Sequence, residues 1–466
     1  MVPVDTKDTV EIMKLFMEPK SIALVGLTRA TGPFGWNVLE HLQGYGYKGK
    51  LYPVNPGADK ILGVKCYRTL DEIPDTIDLA VILTPSKHGP KLIKECTDKG
   101  IRAITVVGQG YADGDEEGKR LQAEIVRIAH EGGARIVGPN TFGTGNAYLK
   151  FNTAFTKMTM KEVPTGIICQ TGLYMSGLPY FHIVGKGIDI GNACDIDFAD
   201  GLEYFEDDHT VKVIMLYIEG MRDGRRFMEV ASRVSKKKPI LALKSGRCDA
   251  SARAAQSHSG SLAGSDEVYD AAFKQCGVLR VTSESEFQDM TRAFLKLPPM
   301  KGRNVGVISI TGGGAIMATD ACARHGLNLA KLSEASLKKL ETLAPPWQHL
   351  GNPADIWPPS MIAGNPLHLV LGTVIETFAA DDNVDGLFII LPGEYHPLMD
   401  PMLDCFRIID KYDKPAILWL YSIDVDVLAP QIEARGRIVY YRTMDQGANV
   451  LSKLNNYYEY LNRSDV

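Results

Sequence analysis

Short apolar runs alternate with amphipathic stretches of ten to fifteen residues along nearly the whole sequence. A strand that is apolar throughout needs cover on both faces, and helices crossing between parallel strands supply it. The pattern therefore predicts βαβ units wound around parallel sheets, joined by right-handed crossovers. At 466 residues the chain is too long for one core and suits two to four domains.

Three blocks emerge. The first has apolar runs at 21–27, 50–53, 79–84, 103–107 and 135–137, enough for one Rossmann-like unit. A polar, irregular stretch over 146–164 precedes the second, whose strands are expected at 165–169, 211–218 and 239–244. The segment Pro298-Pro299-Met300-Lys301-Gly302-Arg303 reads as a linker. After it the strand-turn-helix pattern restarts with NVGVISITGGGAIMATDACARHG and adds strands at 386–391 and 415–420. The expected fold is α/β with three doubly wound domains, at 1–145, 146–297 and 298–466.

A soluble globular protein has this balance of 45% hydrophobic and 23% charged residues, and a net charge of -5 gives no bulk attraction to nucleic acid or anionic membrane. Neither a secretory signal pattern nor a run of eighteen apolar residues occurs, so a cytoplasmic location is expected. The eight cysteines are scattered without a CxxC pair, which argues against a zinc cluster or a disulfide framework, and no metal site is expected.

SIALVGLTRATGPFGWNVLEHL is a strand, a glycine-rich turn and a helix, so backbone N–H groups and a helix N-terminus face a phosphate-bearing ligand. Gly26, Gly32 and Gly35 let the backbone approach closely. The spacing is not GxGxxG, because Thr28 stands at the second glycine position, and the second strand ends in Pro53-Val54-Asn55-Pro56 without an acid for a ribose hydroxyl. A nicotinamide-dependent oxidoreductase is therefore disfavoured. Thr28, Arg29 and Lys60 offer donors and positive charge suited to a ligand with several phosphates. Leu83-Thr84-Pro85 and Gly138-Pro139-Asn140 end later strands at the same crevice, although either alone is also an ordinary turn.

These residues together form a recognisable combination. The Gly-rich segment with YKGKLYPVNP, ILGVKCYRTLDEIPDTIDLAVILTP and GPNTFG resembles the CoA-binding domain of NDP-forming acyl-CoA synthetases, a family related to the α subunit of succinyl-CoA synthetase. The resemblance implies that Gly26, Thr28, Arg29, Gly35, Pro53, Asn55, Thr84, Pro85 and Asn140 lie at or near CoA. It also implies a Rossmann-like CoA-binding domain followed by two flavodoxin-like domains.

GRCDASARAAQSHSGSLAG, between PILALKS and a helix starting near Ser265, is nineteen residues of mostly small side chains around one histidine, His258. A neutral imidazole can accept a phosphoryl group while its other nitrogen donates to a carboxylate, but a histidine in a surface loop is usually just solvated. SHSGSLAGSDEVYDAAFKQCGVLRV resembles the family's phosphohistidine segment, which implies that His258 carries the phosphoryl group, with Ser259 and Gly260 beside it. Glu219, at the end of VKVIMLYIEG, falls on the carboxylate that orients that histidine. By the same resemblance IICQTGLYMSG and ISITGGGAIMATD hold the phosphoryl group, through Gln170, Thr171 and Gly172 and through Thr311, Gly312 and Gly313. Gly351-Asn352-Pro353-Ala354-Asp355 also resembles a family segment and receives no chemical role.

The resemblance covers the chain without an ATP-grasp region. It implies a nucleotide-binding β subunit carrying ATP or ADP and Mg²⁺, in an α2β2 assembly, and an α subunit that handles CoA and a small carboxylic acid or acyl phosphate. Thr141-Phe142, Cys169 to Leu173 and Gly312 to Ala315 depart from the family's usual residues. The bulk of Phe142 and Tyr174 is expected to reshape the acyl site, against assuming acetate. A CoA-binding regulatory or scaffolding homologue without the chemistry is the alternative these departures raise.

Overall fold

In the computed structural model, residues 6–32, 35–156, 161–175, 184–248, 265–393 and 400–463 are described. The chain forms two compact units, Met1–Gln288 and Asp289–Val466. The first holds two large sheets and the second holds one.

In the first sheet β1 (Ser21–Val25), β2 (Lys50–Val54), β5 (Leu79–Ile82), β6 (Ala103–Val106) and β7 (Arg135–Val137) lie parallel, in the order β2-β1-β5-β6-β7. A small hairpin of β3 (Lys60–Ile61) and β4 (Val64–Lys65) stands apart and carries Lys60. The central strands are buried on both faces, as a sheet covered by helices requires.

The second sheet adds β8 (Gly143–Asn146), β9 (Phe151–Asn152), β10 (Thr165–Cys169), β11 (Lys186–Asp189), β12 (Val213–Ile218), β13 (Ile240–Lys244) and β14 (Val278–Val281). Their order is β14-β13-β12-β10-β11-β8-β9. Five are parallel, while β8 runs antiparallel along β11 and β9 antiparallel along β8. The stretch expected to be irregular after Asn146 thus contains β9 and a 3-10 turn, Ala147–Leu149. Five residues separate β7 from β8, so the Gly138-Pro139-Asn140 turn that ends one sheet begins the other.

In the second unit β15 (Asn304–Ser309), β16 (Asn328–Leu329), β18 (Gly386–Pro392), β19 (Ala416–Tyr421) and β20 (Ile438–Tyr440) are ordered β16-β15-β18-β19-β20, with β17 (Ala354–Asp355) on β15. Asn352 explains its neighbouring segment. Its side chain accepts from Val307 N and donates to Val305 O and Ala330 O, all at 2.9 Å, stitching a sheet edge.

Counted by their own parallel strands, with the two-residue β17 left out, all three sheets have the order 2-1-3-4-5. The first strand of each therefore sits at the point where the winding reverses, and ligands bind outside the carboxyl ends there. Those three points are the ends of β1 and β5, of β10 and β12, and of β15 and β18.

Candidate functional site

At the first reversal point Gly26 has φ +78, and a Cβ there would stand 2.3 Å from Thr84 Cγ2. Only glycine lets the ends of β1 and β5 close so tightly. Thr84 Oγ1 is buried with no hydrogen-bond partner among the described residues, an orphan donor and acceptor that a polar ligand would satisfy. Asn55 ties the end of β2 to the turn, donating to Leu27 O at 2.9 Å and accepting from Gly57 N at 2.8 Å. Pro53 pairs with Leu24 inside β2, and Pro85 precedes the 3-10 turn Ser86–His88. Arg29 is exposed, and its guanidinium donates to Gly57 O at 3.4 Å. Thr28 Oγ1 accepts from Ala30 N, and Gly35 packs where a Cβ would meet Thr31 backbone at 2.6 Å.

One expectation is modified here. Asn37 caps the helix Val38–Tyr45 by accepting from Glu40 N, and the Glu40 carboxylate accepts from Gly32 N at 2.9 Å. Two N–H groups expected to face a phosphate are already engaged by this chain. Asn140, in the left-handed region at φ +57, accepts from Gln109 Nε2 at 2.9 Å.

The second reversal point brings Gln170 and Glu219 together, 49 residues apart in sequence. Gln170 Oε1 accepts from Glu219 N at 2.8 Å and from Gly220 N at 3.0 Å. Both residues are buried. Lys244, at the end of β13 and only 2% exposed, donates to Glu219 O at 2.9 Å and to Ser245 O, with Tyr269 ring 4.8 Å from its ammonium. The backbone of Glu219 is thereby held at both its N–H and its carbonyl. Thr171 caps the short turn Gly172–Tyr174 by accepting from Leu173 N at 3.4 Å. Ser245, Gly246, Arg247 and Cys248 lead from β13 toward the histidine segment, and Ser265 follows it. Arg247 before the segment and Asp266 after it lie 3.6 Å apart, and Arg280 also pairs with Asp266. His258, Ser259 and Gly260 lie outside the described residues.

In the second unit Thr311 caps the helix Gly312–Arg324, accepting from Gly314 N at 3.0 Å. Gly312 and Gly313 are exposed. A Cβ at Gly312 would be 3.2 Å from the Asp355 carboxylate, an acid beside a turn read as anion-binding.

Sequence reasoning missed Asp189. It ends β11 beside Cys169, is 1% exposed, and accepts from Phe142 N at 2.7 Å and Gly191 N at 3.1 Å, while Thr141 Oγ1 donates to its carbonyl. Burial, with Glu219 charge adding to it, pushes its carboxyl up to about 7 against those hydrogen bonds. The folded chain therefore holds this proton to higher pH than the unfolded chain. The stability from the neutral form is complete below the ordinary value of 3.8 and is lost as pH rises toward about 7. In melts from pH 4 to 8, Asp189→Asn is expected to lack this component, so its Tm relative to the parent rises with pH. A pH-independent difference would contradict the assignment.

Tyr174 is also placed differently from expectation. It is 2% exposed, its ring 4.6 Å from that of Tyr217 and 6.2 Å from that of Phe287, so it fills the core. Phe142 does border the turn, since a Cβ on Gly172 would meet its ring at 2.5 Å.

Comparison with known proteins agrees with this layout. Residues 20–147 match a CoA-binding domain family, and residues 166–294 match the flavodoxin-like domain of succinyl-CoA ligase. The chain is 42% identical to "Acetate--CoA ligase [ADP-forming] I subunit alpha" of Pyrococcus furiosus over 74% of its length and 76% of that protein. The chain belongs to the ADP-forming acyl-CoA ligase family. "Acetate--CoA ligase [ADP-forming] II" of Archaeoglobus fulgidus is 34% identical over 96% of this chain and 67% of its own. A solved dinucleotide-forming acetyl-coenzyme A synthetase 1 of Ca. Korarchaeum cryptofilum, in complex with phosphate and ADP, superposes with a TM-score of 0.84 at 30% identity, covering 97% of this chain and 98% of that one. Ligase relatives of this extent do not favour the regulatory alternative for this ADP-forming family member.

Proposed function

We propose that the chain is the α subunit of a nucleotide-dependent acid–CoA ligase that interconverts acyl-CoA, ADP and phosphate with a carboxylic acid, ATP and CoA. The observation that carries this reading is the Gln170–Glu219 junction at a sheet reversal point, tied through Lys244 to the end of β13, the strand that leads to the His258 segment. CoA is placed at the first reversal point, against Gly26, Thr28, Arg29, Gly35, Pro53, Asn55, Thr84, Pro85 and Asn140. The Thr84 hydroxyl, unsatisfied among the described residues, and the exposed Arg29 side chain support that placement. Three functional domains, at 1–145, 146–297 and 298–466, divide the work.

In the first step phosphate attacks the thioester carbonyl and the CoA thiolate leaves, giving an acyl phosphate. A neutral His258 nitrogen then attacks phosphorus, and the carboxylate leaves. Finally an ADP oxygen takes the phosphoryl group and frees the imidazole. Glu219 orients the ring and stabilises its charged form. Gln170, Thr171 and Gly172, with Ser259 and Gly260, are the proposed phosphate-binding residues of the first unit, and Thr311, Gly312 and Gly313 are those of the second. Little more is asked of the protein, since phosphoryl transfer depends chiefly on positioning and charge.

The nucleotide and its Mg²⁺ belong to an ATP-grasp β subunit, in an α2β2 assembly in the cytoplasm. Support comes from the relatives. One is named as a subunit alpha, and another extends beyond the part this chain matches. No described helix is long and apolar enough to cross a membrane.

The test is phosphoryl labelling. Incubated with its β partner, γ-labelled ATP and Mg²⁺, this chain is expected to gain an acid-labile, alkali-stable label that maps to the peptide containing residues 249–264. An acid-stable label, or one confined to the partner, would overturn the reading.

A further inference from the structure

Three aromatic side chains connect the CoA turn with the phosphoryl turn. Trp36 follows the first glycine-rich turn, Phe142 follows Asn140 and Thr141, and Phe155 stands between their rings. Phe142 and Phe155 have centroids 4.6 Å apart at 63°, and Trp36 and Phe155 have centroids 5.6 Å apart at 60°, both edge-to-face. At its far end Phe142 lies on Gly172, where a Cβ would meet its Cδ1 at 2.5 Å. The Phe142 end is fixed, because its N–H donates to the buried Asp189 carboxylate at 2.7 Å.

The Trp36 end is unusual. Its backbone lies in the left-handed region at φ +50, which is unfavourable for a large aromatic residue, and its indole is 52% exposed. Leu173, in the phosphoryl turn, is 48% exposed. Strain at one end of an aromatic row and exposed apolar surface at both ends mark a binding surface rather than a packed core.

In the ligase reading, on which this inference rests, one acyl carbonyl must reach both the CoA sulfur and the phosphate. The group attached to that carbonyl then lies along the row of rings. We infer that Trp36, Phe155 and Phe142 form the acyl subsite, and that its acid carries an aromatic ring or a planar apolar group of similar size. A methyl group covers almost none of the indole. An aryl group covers it and gains edge-to-face partners.

With the β subunit, ATP, Mg²⁺ and CoA present, kcat/KM for thioester formation is measured with phenylacetate and with acetate. Phenylacetate is expected to be favoured by about tenfold or more, within what one apolar subsite can discriminate. Trp36→Ala is expected to lower the phenylacetate-to-acetate ratio about tenfold, and Phe142→Leu to lower it in the same direction. The ratio does not depend on how much of each variant folds. A ratio at or below one in the parent, or a ratio unchanged by Trp36→Ala, overturns the aryl subsite while the labelled chain leaves the ligase reading standing. If no acid yields a thioester and the chain takes no label, both fall.

Discussion

Replacing His258 by asparagine is expected to lower thioester formation by about 10⁴-fold or more, because in the proposed route the imidazole itself carries the phosphoryl group. Asparagine keeps the approximate size and a hydrogen-bond donor, yet offers no ring nitrogen to attack phosphorus. Glu219→Gln is the companion variant. It preserves shape, and its backbone stays pinned between Gln170 Oε1 and Lys244 Nζ, so only the charge is removed. About a hundredfold loss is expected, with the label still forming slowly on His258. The two variants separate acceptor from orienting group. Steady-state turnover and single-turnover labelling, with CoA binding measured alongside, check both. Turnover that survives His258→Asn would rule out the phosphohistidine route.

The second large effect is on stability. Asp195 is a buried carboxylate joining the two sheets of the first unit. It accepts from Arg135 Nε at 2.8 Å and from Ile136 N at 2.8 Å, and His130 Nε2 lies 2.9 Å away. Burial opposes its ionisation, but the His130 hydrogen bond and the Arg135 charge hold its carboxyl below the usual range. Asp195→Ala leaves the Arg135 side chain, 13% exposed, without its closest counter-charge. Breaking one partner of such a buried pair destabilises by about 3–5 kcal/mol. Urea unfolding of the full chain should show that loss, whereas His130→Ala, at a side chain 52% exposed, should change the midpoint little. Equal effects from the two variants would contradict this division.

The legible parts of the fold are those where burial on both faces forces an apolar run. SIALV, LAVI, VIMLYI and ILALK show this, and each forms a central strand. β8 reads Gly-Thr-Gly-Asn and β11 reads Lys-Gly-Ile-Asp, with no run to detect. Their strand state comes from pairing with each other and with β10, information that local sequence does not contain. Glu219 and Gln170 were legible as strand-end polar residues, but the bond between them joins distant segments and needed coordinates. Asp189 carries no motif. Tyr174 was expected to reshape the acyl site through its bulk, whereas its ring lies in the aromatic interior with Tyr217 and Phe287.

The Arg247–Asp266 pair joins the two described ends of the chain on either side of the His258 segment. Six residues lie between His258 and Ser265, so seven Cα–Cα steps join them, and a chain can extend no more than about 3.3–3.6 Å per residue. The imidazole's backbone therefore stays within about 25 Å of that anchor, whatever path it takes. On the proposed phosphohistidine route, the nucleotide that receives the phosphoryl group must come within one side-chain length of this radius.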